Sequence, residues 1–327
     1  MSRMRVDLRT RSGFTLGEAI AVLAILFVCT LFAVMALPRM RENARMAGCQ
    51  RNLGQIGLGL LQYAQAQEFL PPLTKIDGID PAPDPSTSAG PLRLMLESLQ
   101  LPDFNELMNR STPAKQQPQA VPGERPVRGF VCGSDPWAIS GIHRAPISYR
   151  GTTGGPYSSA GPVGTDGVFA VGRLRTLAQI EAGDGAAFTA AFSERLVGTG
   201  KPGERDPANY LVGPSPIPLE GCVPPADGVG MRGDAGSSWY HADYRSTLYN
   251  HAHPPNWGSS CIAADGQTAD MGASSGHPNG VNLLLMDGSV RTIRATVDYK
   301  VWVGFGSIGS PRPNPEVPPS SKRESAP

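Results

Sequence analysis

Neither sign of charge predominates in this 327-residue chain: 29 Lys and Arg oppose 28 Asp and Glu, a formal net charge of +1. Proteins that neutralise nucleic-acid phosphates need a basic field, so a nucleic-acid partner is not expected. Arg and aromatic side chains are scattered rather than interleaved, and aromatics make up only 7% of the chain. There is no Cys-x-x-Cys and no His-Glu-x-x-His. Those spacings place the ligands of zinc and redox centres, so no metal is expected. No predicted strand leads into a phosphate loop of the form G-x-x-x-x-G-K or G-x-G-x-x-G, which removes the usual nucleotide cradle. No Ser can be matched with a base and an orienting carboxylate. Neither an enzyme activity nor a bound cofactor is therefore expected.

Gly and Pro are plentiful, with 39 and 32 residues, while charged residues reach only 17%. Both turn-formers exceed average use. The mix fits a loop-rich, mostly β body rather than a helical bundle. The length accommodates one large domain or two modest ones.

Charge is missing altogether from Ala19 to Pro38. As a helix, the apolar run from Phe14 to Leu37 would be roughly 36 Å long, enough for a hydrocarbon core of about 30 Å. Ahead of it Arg3, Arg5, Arg9 and Arg11 outweigh Asp7. That asymmetry predicts a cytoplasmic N-terminus and a body on the far side of the membrane. A cleaved secretory signal would have a shorter run and a small-residue cleavage site. Here Leu37-Pro38-Arg39-Met40-Arg41 follows instead. One carboxylate, Glu18, stands at the head of the run, where a charge is costly and calls for a function. Pro38 should kink the helix rather than end it, because Met46, Leu53, Ile56, Leu60, Leu61 and Tyr63 resume a helical spacing. Gly48, Gly54, Gly57 and Gly59 lower helix propensity but would let a sheet or a second helix come close. The expectation is one long helix, its first half in the membrane and its second half laid on the body.

Pro71-Pro72 stops this helix, and Asp77 to Pro91 reads as a surface loop. Short helices are expected at Leu92 to Leu101, Phe104 to Met108 and Leu174 to Ile180. Strands are expected at Val127 to Cys132, near Gly167 to Phe169, at Phe188 to Leu196 and within Trp239 to Asn250. Gly198 to Gly236 reads as turns. The clearest β signal is Gly280 to Met286, then Asp287-Gly288, then Ser289 to Ile293. Asp-Gly between apolar strands predicts a two-residue type I′ hairpin turn, with Val301 to Phe305 packed beside it.

Candidate chemistry in the body is sparse. His241, Asp243, His251 and His253 lie close in sequence, with Cys261 beyond. Solvated or hydrogen-bonding roles fit them better than a metal site. His277 and Asp287 could meet across the hairpin as an acid–base pair, against the simpler reading that Asp287 makes the turn. Asp265, Asp270 and Asp287 could gather around calcium, but no EF-hand spacing supports it.

Arg11-Ser12-Gly13-Phe14-Thr15-Leu16-Gly17-Glu18 resembles the cleavage and methylation signal of type IV pilins and type II secretion pseudopilins. The resemblance implies cutting by prepilin peptidase between Gly13 and Phe14, methylation of Phe14, and pairing of Glu18 with the N-terminal amine of a neighbouring subunit. Gly17 and Ala19 stand where that family usually has bulkier apolar residues.

A second resemblance covers about residues 11 to 305. Cys49-x-x-Asn52, Phe130-Val131-Cys132-Gly133-Ser134-Asp135, Ser148-Tyr149, Gly167-Val168-Phe169, Ser193-Glu194-Arg195 and His277-x(9)-Asp287-Gly288 occur in order. They are similar to the prepilin-like proteins carrying domain of unknown function 1559, the H-x(9)-DG proteins. This family often has Cys-Pro-Ser where Cys132-Gly133-Ser134 stands here. The resemblance implies no enzyme activity.

The expected fold is thus α+β and pilin-like, a long N-terminal helix packed on a loop-rich antiparallel β body. Its parts would be a leader 1–13, a helix 14–70, an extracytoplasmic domain 71–309 and a disordered tail 310–327. The expected role is a pseudopilin-like structural subunit of the inner membrane, whose partners are the membrane, prepilin peptidase and other pilin-like subunits. The alternative is a tethered binding protein or enzyme. Cys29 lies in the apolar run, and the other four cysteines allow three pairings. The preferred one is Cys49–Cys132 with Cys222–Cys261, because Cys49 starts the outer half of the helix and Cys132 ends a strand expected to pack on it.

Overall fold

A computed structural model describes residues 15–73, 89–99, 125–155, 166–214, 217 and 222–309. The leader with Gly13, the residue Phe14, the helix expected at Phe104 to Met108 and the tail 310–327 lie outside these residues. The chain forms two compact units, Met1–Ala44 and Arg45–Pro327. Helix α1, Leu16–Gln67, runs through the boundary and includes Pro38.

In the first unit, α1 starts with a capping box. Thr15 Oγ1 accepts a hydrogen bond from the Glu18 amide (3.3 Å), and Glu18 Oε2 accepts one from the Thr15 amide (2.9 Å). The Thr-x-x-Glu spacing satisfies two amides that would otherwise lack partners. The helix is long and apolar enough to cross a membrane. Large side chains such as Leu23, Phe27 and Phe32 are exposed. The Thr30 hydroxyl turns back onto the carbonyls of Leu26 and Phe27, so this hydroxyl in the apolar run does not demand water.

In the second unit, α1 buries Cys49, Leu53, Ile56, Leu60 and Ala64. Steps of three and four put these on one face. Two glycines on that face allow close packing. A Cβ on Gly57 would stand 2.8 Å from Leu284 Cδ1, and one on Gly59 would stand 2.6 Å from Leu99 Cδ2. Gly48 and Gly54 face open space. After Leu70 and Leu73 enter the core, helix α2 (Pro91–Leu94) starts at a proline, whose fixed φ suits a first helical position.

Among the described residues, the body has two sheets. The first has the order β5-β1-β2-β8-β9, and the second β4-β3-β6-β7. In chain order, β1 is Tyr149–Thr152, β2 Ala190–Glu194, β3 Tyr210–Gly213 and β4 Met231–Arg232. Then follow β5 Leu248–Tyr249, β6 Ser260–Ala263, β7 Ala269–Asp270, β8 Val281–Leu285 and β9 Val290–Ile293. Strands β2 and β8 are buried throughout, as befits apolar runs covered on both faces. Two further helices among the described residues are α3 (Leu177–Ala182) and α4 (Tyr299–Gly306).

The α+β arrangement is the expected one, but details differ. The sheets are mixed, because β1 with β5 and β3 with β6 pair in parallel. Val127 to Cys132 is not a strand. It holds a 3-10 turn at Arg128–Phe130, since Phe130 turns into the core against Trp239. Gly167 to Phe169 is a bend. Gly198 to Gly236, expected as turns, contains β3 and β4. Strands of two to four residues between turn-formers carry too few positions for a period to show.

Two substitutions on one helix should have opposite signs. Gly54→Ala, in open space, should raise stability by about 0.5–1 kcal/mol, because alanine loses less entropy in a helix. Gly59→Ala should lower it by roughly 1–3 kcal/mol through overpacking against Leu99. Thermal unfolding of the full chain in detergent measures both.

Candidate functional site

The His277-x(9)-Asp287-Gly288 spacing is the length of one strand with its two flanks. His277 precedes β8 and Asp287 follows it, so the two side chains mark opposite ends and do not form a pair. At the far end, the Gly288 amide donates to Leu285 O (3.0 Å) and the Leu285 amide to Ser289 O (2.9 Å). Only Gly288 of the Asp-Gly pair has positive φ, at +83°. The connection is therefore a three-residue loop with a glycine bulge, not the expected type I′ turn. Asp287 Oδ1 accepts from the Ser289 amide (2.9 Å) and hydroxyl (2.6 Å), which accounts for the aspartate structurally.

At the near end, the carboxylate beside His277 is Glu194, the last residue of β2. His277 Nε2 lies 3.5 Å from Glu194 Oε1 and 3.3 Å from Cys132 Sγ. Cys132 is joined to Cys49 of α1 in a disulfide with a Cα–Cα distance of 5.2 Å. The second disulfide joins Cys222 to Cys261 of β6. Cys49, Cys132, Glu194 and His277 are between 1% and 2% exposed. One ligand-type atom from each lies within 4.8 Å of all the others. Four distant segments meet here, so no short spacing in the sequence could announce the group.

Asn282 organises this cluster and escaped the sequence reading. Its amide donates to Glu194 Oε2 and its Nδ2 to Glu194 Oε1, both at 2.9 Å. Its Oδ1 accepts from Thr292 Oγ1 (2.8 Å) and Gln50 Nε2 (3.3 Å). The signal was a lone polar residue in the run Val281-Asn282-Leu283-Leu284-Leu285. A buried amide in a covered strand must have partners.

The other shared motifs are joints in the same frame. Asn52 Nδ2 donates to Val131 O and to Tyr149 Oη. Asp135 accepts from the amides of Trp137 and Ala138 on Oδ1, and from Ser148 Oγ and the Val197 amide on Oδ2. Burial raises its pKa from the ordinary value, with these bonds opposing. Arg195 donates to Ser274 Oγ (2.7 Å) and to the carbonyls of Pro207 and Ala208. Burial lowers its pKa to about 10. Arg150 falls to about 9, by burial and then by the charge of Arg195.

Gly272-Ala273-Ser274-Ser275-Gly276 has the G-x-S-x-G spacing of a nucleophile elbow, which the sequence reading overlooked. Ser274 Oγ accepts from Arg195 and from the Leu196 amide (3.1 Å). The next element after it is strand β8, not a helix, and the His277 ring lies beside Cys132 and Glu194 instead, so this serine is a joint rather than a nucleophile.

The remaining candidates are dispersed. His251 bonds Tyr249 Oη (2.9 Å) and Trp302 O (2.8 Å) and stacks on Trp302. His253 Nδ1 lies 2.8 Å from Asp270 Oδ2, off-line for a hydrogen bond, and its ring stacks on Trp257. His241 contributes its carbonyl to Thr247. Asp243 pairs with Arg245 and caps the Ser246 amide. Asp265 accepts from the Gln267 amide. Asp265, Asp270 and Asp287 thus each make a separate local contact.

Residues 38–300 match the model of a family described as "Protein of unknown function (DUF1559)". No curated protein and no solved structure matches the chain.

Two consequences can be measured. Asp135→Asn puts an NH₂ where donors converge and should cost about 3 kcal/mol in denaturant unfolding. Burial lowers the His251 pKa from 6.5 to about 3. Between these values the unfolded chain binds a proton that the folded chain refuses, so stability falls as pH falls through the window, by up to about 1.4 kcal/mol per pH unit. In His251→Gln that slope should flatten.

Proposed function

The chain belongs to the DUF1559 family of proteins of unknown function, and on that premise we propose that it is a prepilin-like structural subunit anchored in the inner membrane. The observation that carries this reading is the continuity of α1, Leu16–Gln67. One helix supplies a charge-free span and then the apolar stripe from Cys49 to Ala64 that enters the body core. A mere tether needs no such coupling, whereas a subunit positioned by its helix does. The Arg-rich leader supports a cytoplasmic N-terminus and an extracytoplasmic body. Two disulfides fit an oxidising compartment.

Prepilin peptidase would cut between Gly13 and Phe14 and methylate Phe14. Thr15 and Glu18 remain after the cut, so the helix keeps its cap. The cap bonds from Thr15 both fall on Glu18 Oε2. Oε1 is then available to the N-terminal amine of the next subunit, a charge pair that is strong in a low dielectric. The role is structural rather than enzymatic, and the partners are the membrane, the peptidase and other pilin-like subunits in a type II secretion or type IV pilus-like system.

Intact-mass measurement of the membrane-extracted protein tests this directly. The expected species lacks residues 1–13 and carries one added methyl group. An uncut N-terminus, or a cut beyond Leu37, refutes the reading. Glu18→Ala should still be cut but should lose cross-linking to neighbouring subunits, with the body folded as before.

A further inference from the structure

We propose that, before the Cys49–Cys132 bond forms, the chain holds one Zn²⁺ on Cys49 Sγ, Cys132 Sγ, His277 Nε2 and Glu194 Oε1, and that forming the bond expels the ion. The proposal goes beyond the pilin reading and shares no residue with its tests.

Geometry is the first support. Tetrahedral zinc binds thiolate sulfur at about 2.3 Å and nitrogen or oxygen at about 2.0–2.1 Å, which puts neighbouring ligand atoms roughly 3.3–3.8 Å apart. His277 Nε2 is already 3.3 Å from Cys132 Sγ and 3.5 Å from Glu194 Oε1. All four atoms lie within 4.8 Å of one another. The Cys49–Cys132 edge must lengthen, and it can do so when the covalent bond is absent.

Chemistry is the second. Two thiolates and an imidazole favour zinc over the hard cations that prefer oxygen ligands. With the carboxylate the site would carry a net charge of −1, the same as a Cys₃His zinc site. The group is also braced. Glu194 is held through both oxygens by Asn282, which Thr292 and Gln50 hold in turn. Such outer bonds fix a ligating carboxylate in place. Nothing in a plain disulfide requires a buried carboxylate and imidazole beside it, and burying them has a cost.

The two states exclude each other because the same sulfurs serve both. A disulfide-bearing oxidant takes two electrons from the two thiolates and is reduced to its dithiolate form. Cys49 Sγ bonds to Cys132 Sγ, the oxidant's S–S bond breaks, and Zn²⁺ leaves. The zinc form would order the junction of α1 with β2 and β8 in the reduced chain, before an oxidant reaches the two thiolates.

The test uses the full chain in detergent, purified with a phosphine reductant and titrated with Co²⁺ as a spectroscopic stand-in. One Co²⁺ should bind with a thiolate-to-cobalt charge-transfer band and tetrahedral ligand-field intensity. Zn²⁺ should displace it. After the phosphine is removed, oxidised glutathione should release the metal as peptide mapping shows Cys49–Cys132 appearing. Cys222→Ser/Cys261→Ser should bind as wild type does. His277→Ala and Glu194→Gln, which keep both sulfurs, should weaken Zn²⁺ binding at least about tenfold, and Asn282→Ser about 10–100-fold. Should reduction unfold the chain, Zn²⁺ must restore the circular dichroism of the oxidised protein. A reduced chain that shows no charge-transfer band, or that stays unfolded with metal, overturns the proposal. So does a cobalt spectrum that His277→Ala leaves unchanged.

Discussion

A carboxylate out of reach of water constrains the centre of this protein. Glu194 ends β2 at 2% exposure, where an unpaired charge would cost several kcal/mol. Its neighbours are arranged to answer that cost. Asn282 donates twice, His277 stands opposite, and the Cys49–Cys132 bridge closes the remaining side. Because these partners come from α1, the loop at Cys132, the approach to β8 and β8 itself, satisfying one residue fixes the junction of the helix with the sheet. The residues the chain shares with the H-x(9)-DG pattern are largely the residues of this junction.

The rest of the body depends on similar local compensation, because its strands are short. Asp135 ties the Cys132 loop to β1 and to the segment after β2 through four donors. Arg195 gathers carbonyls and Ser274 rather than a carboxylate. The disulfides span 83 and 39 residues, and on a chain-entropy view such closures remove about 4–5 kcal/mol of unfolded-state freedom. That is comparable to a small domain's net stability. The second bridge matters most locally, since Cys222 and Cys261 belong to the small satellite core beside the four-stranded sheet.

Some of this was legible in advance for clear physical reasons. A charge-free run and apolar residues at helical spacing are local signals, and α1 carries both; its Thr15–Glu18 cap was equally local but went unread. The β8–β9 hairpin was legible because Asp-Gly between apolar runs is local too, although the turn it makes is a bulged loop set by Asp287 bonding Ser289. The four-stranded sheet was not legible. Strands as short as Met231–Arg232 and Ala269–Asp270 gain their definition from partners, including the parallel neighbour of β3 about fifty residues on in the chain.

By itself, the sequence determined the helix, its charge-free run and the strand that separates His277 from Asp287, because each depends on neighbours along the chain. Only the tertiary structure decided what His277 faces. A spacing of ten residues with an aspartate at its end invited an acid–base pair. The strand between them holds the two apart, and burial instead sets the histidine against Glu194 and the sulfurs of Cys49 and Cys132. That choice rests on contacts between segments as much as 228 residues apart, 277 less 49, which no local pattern encodes.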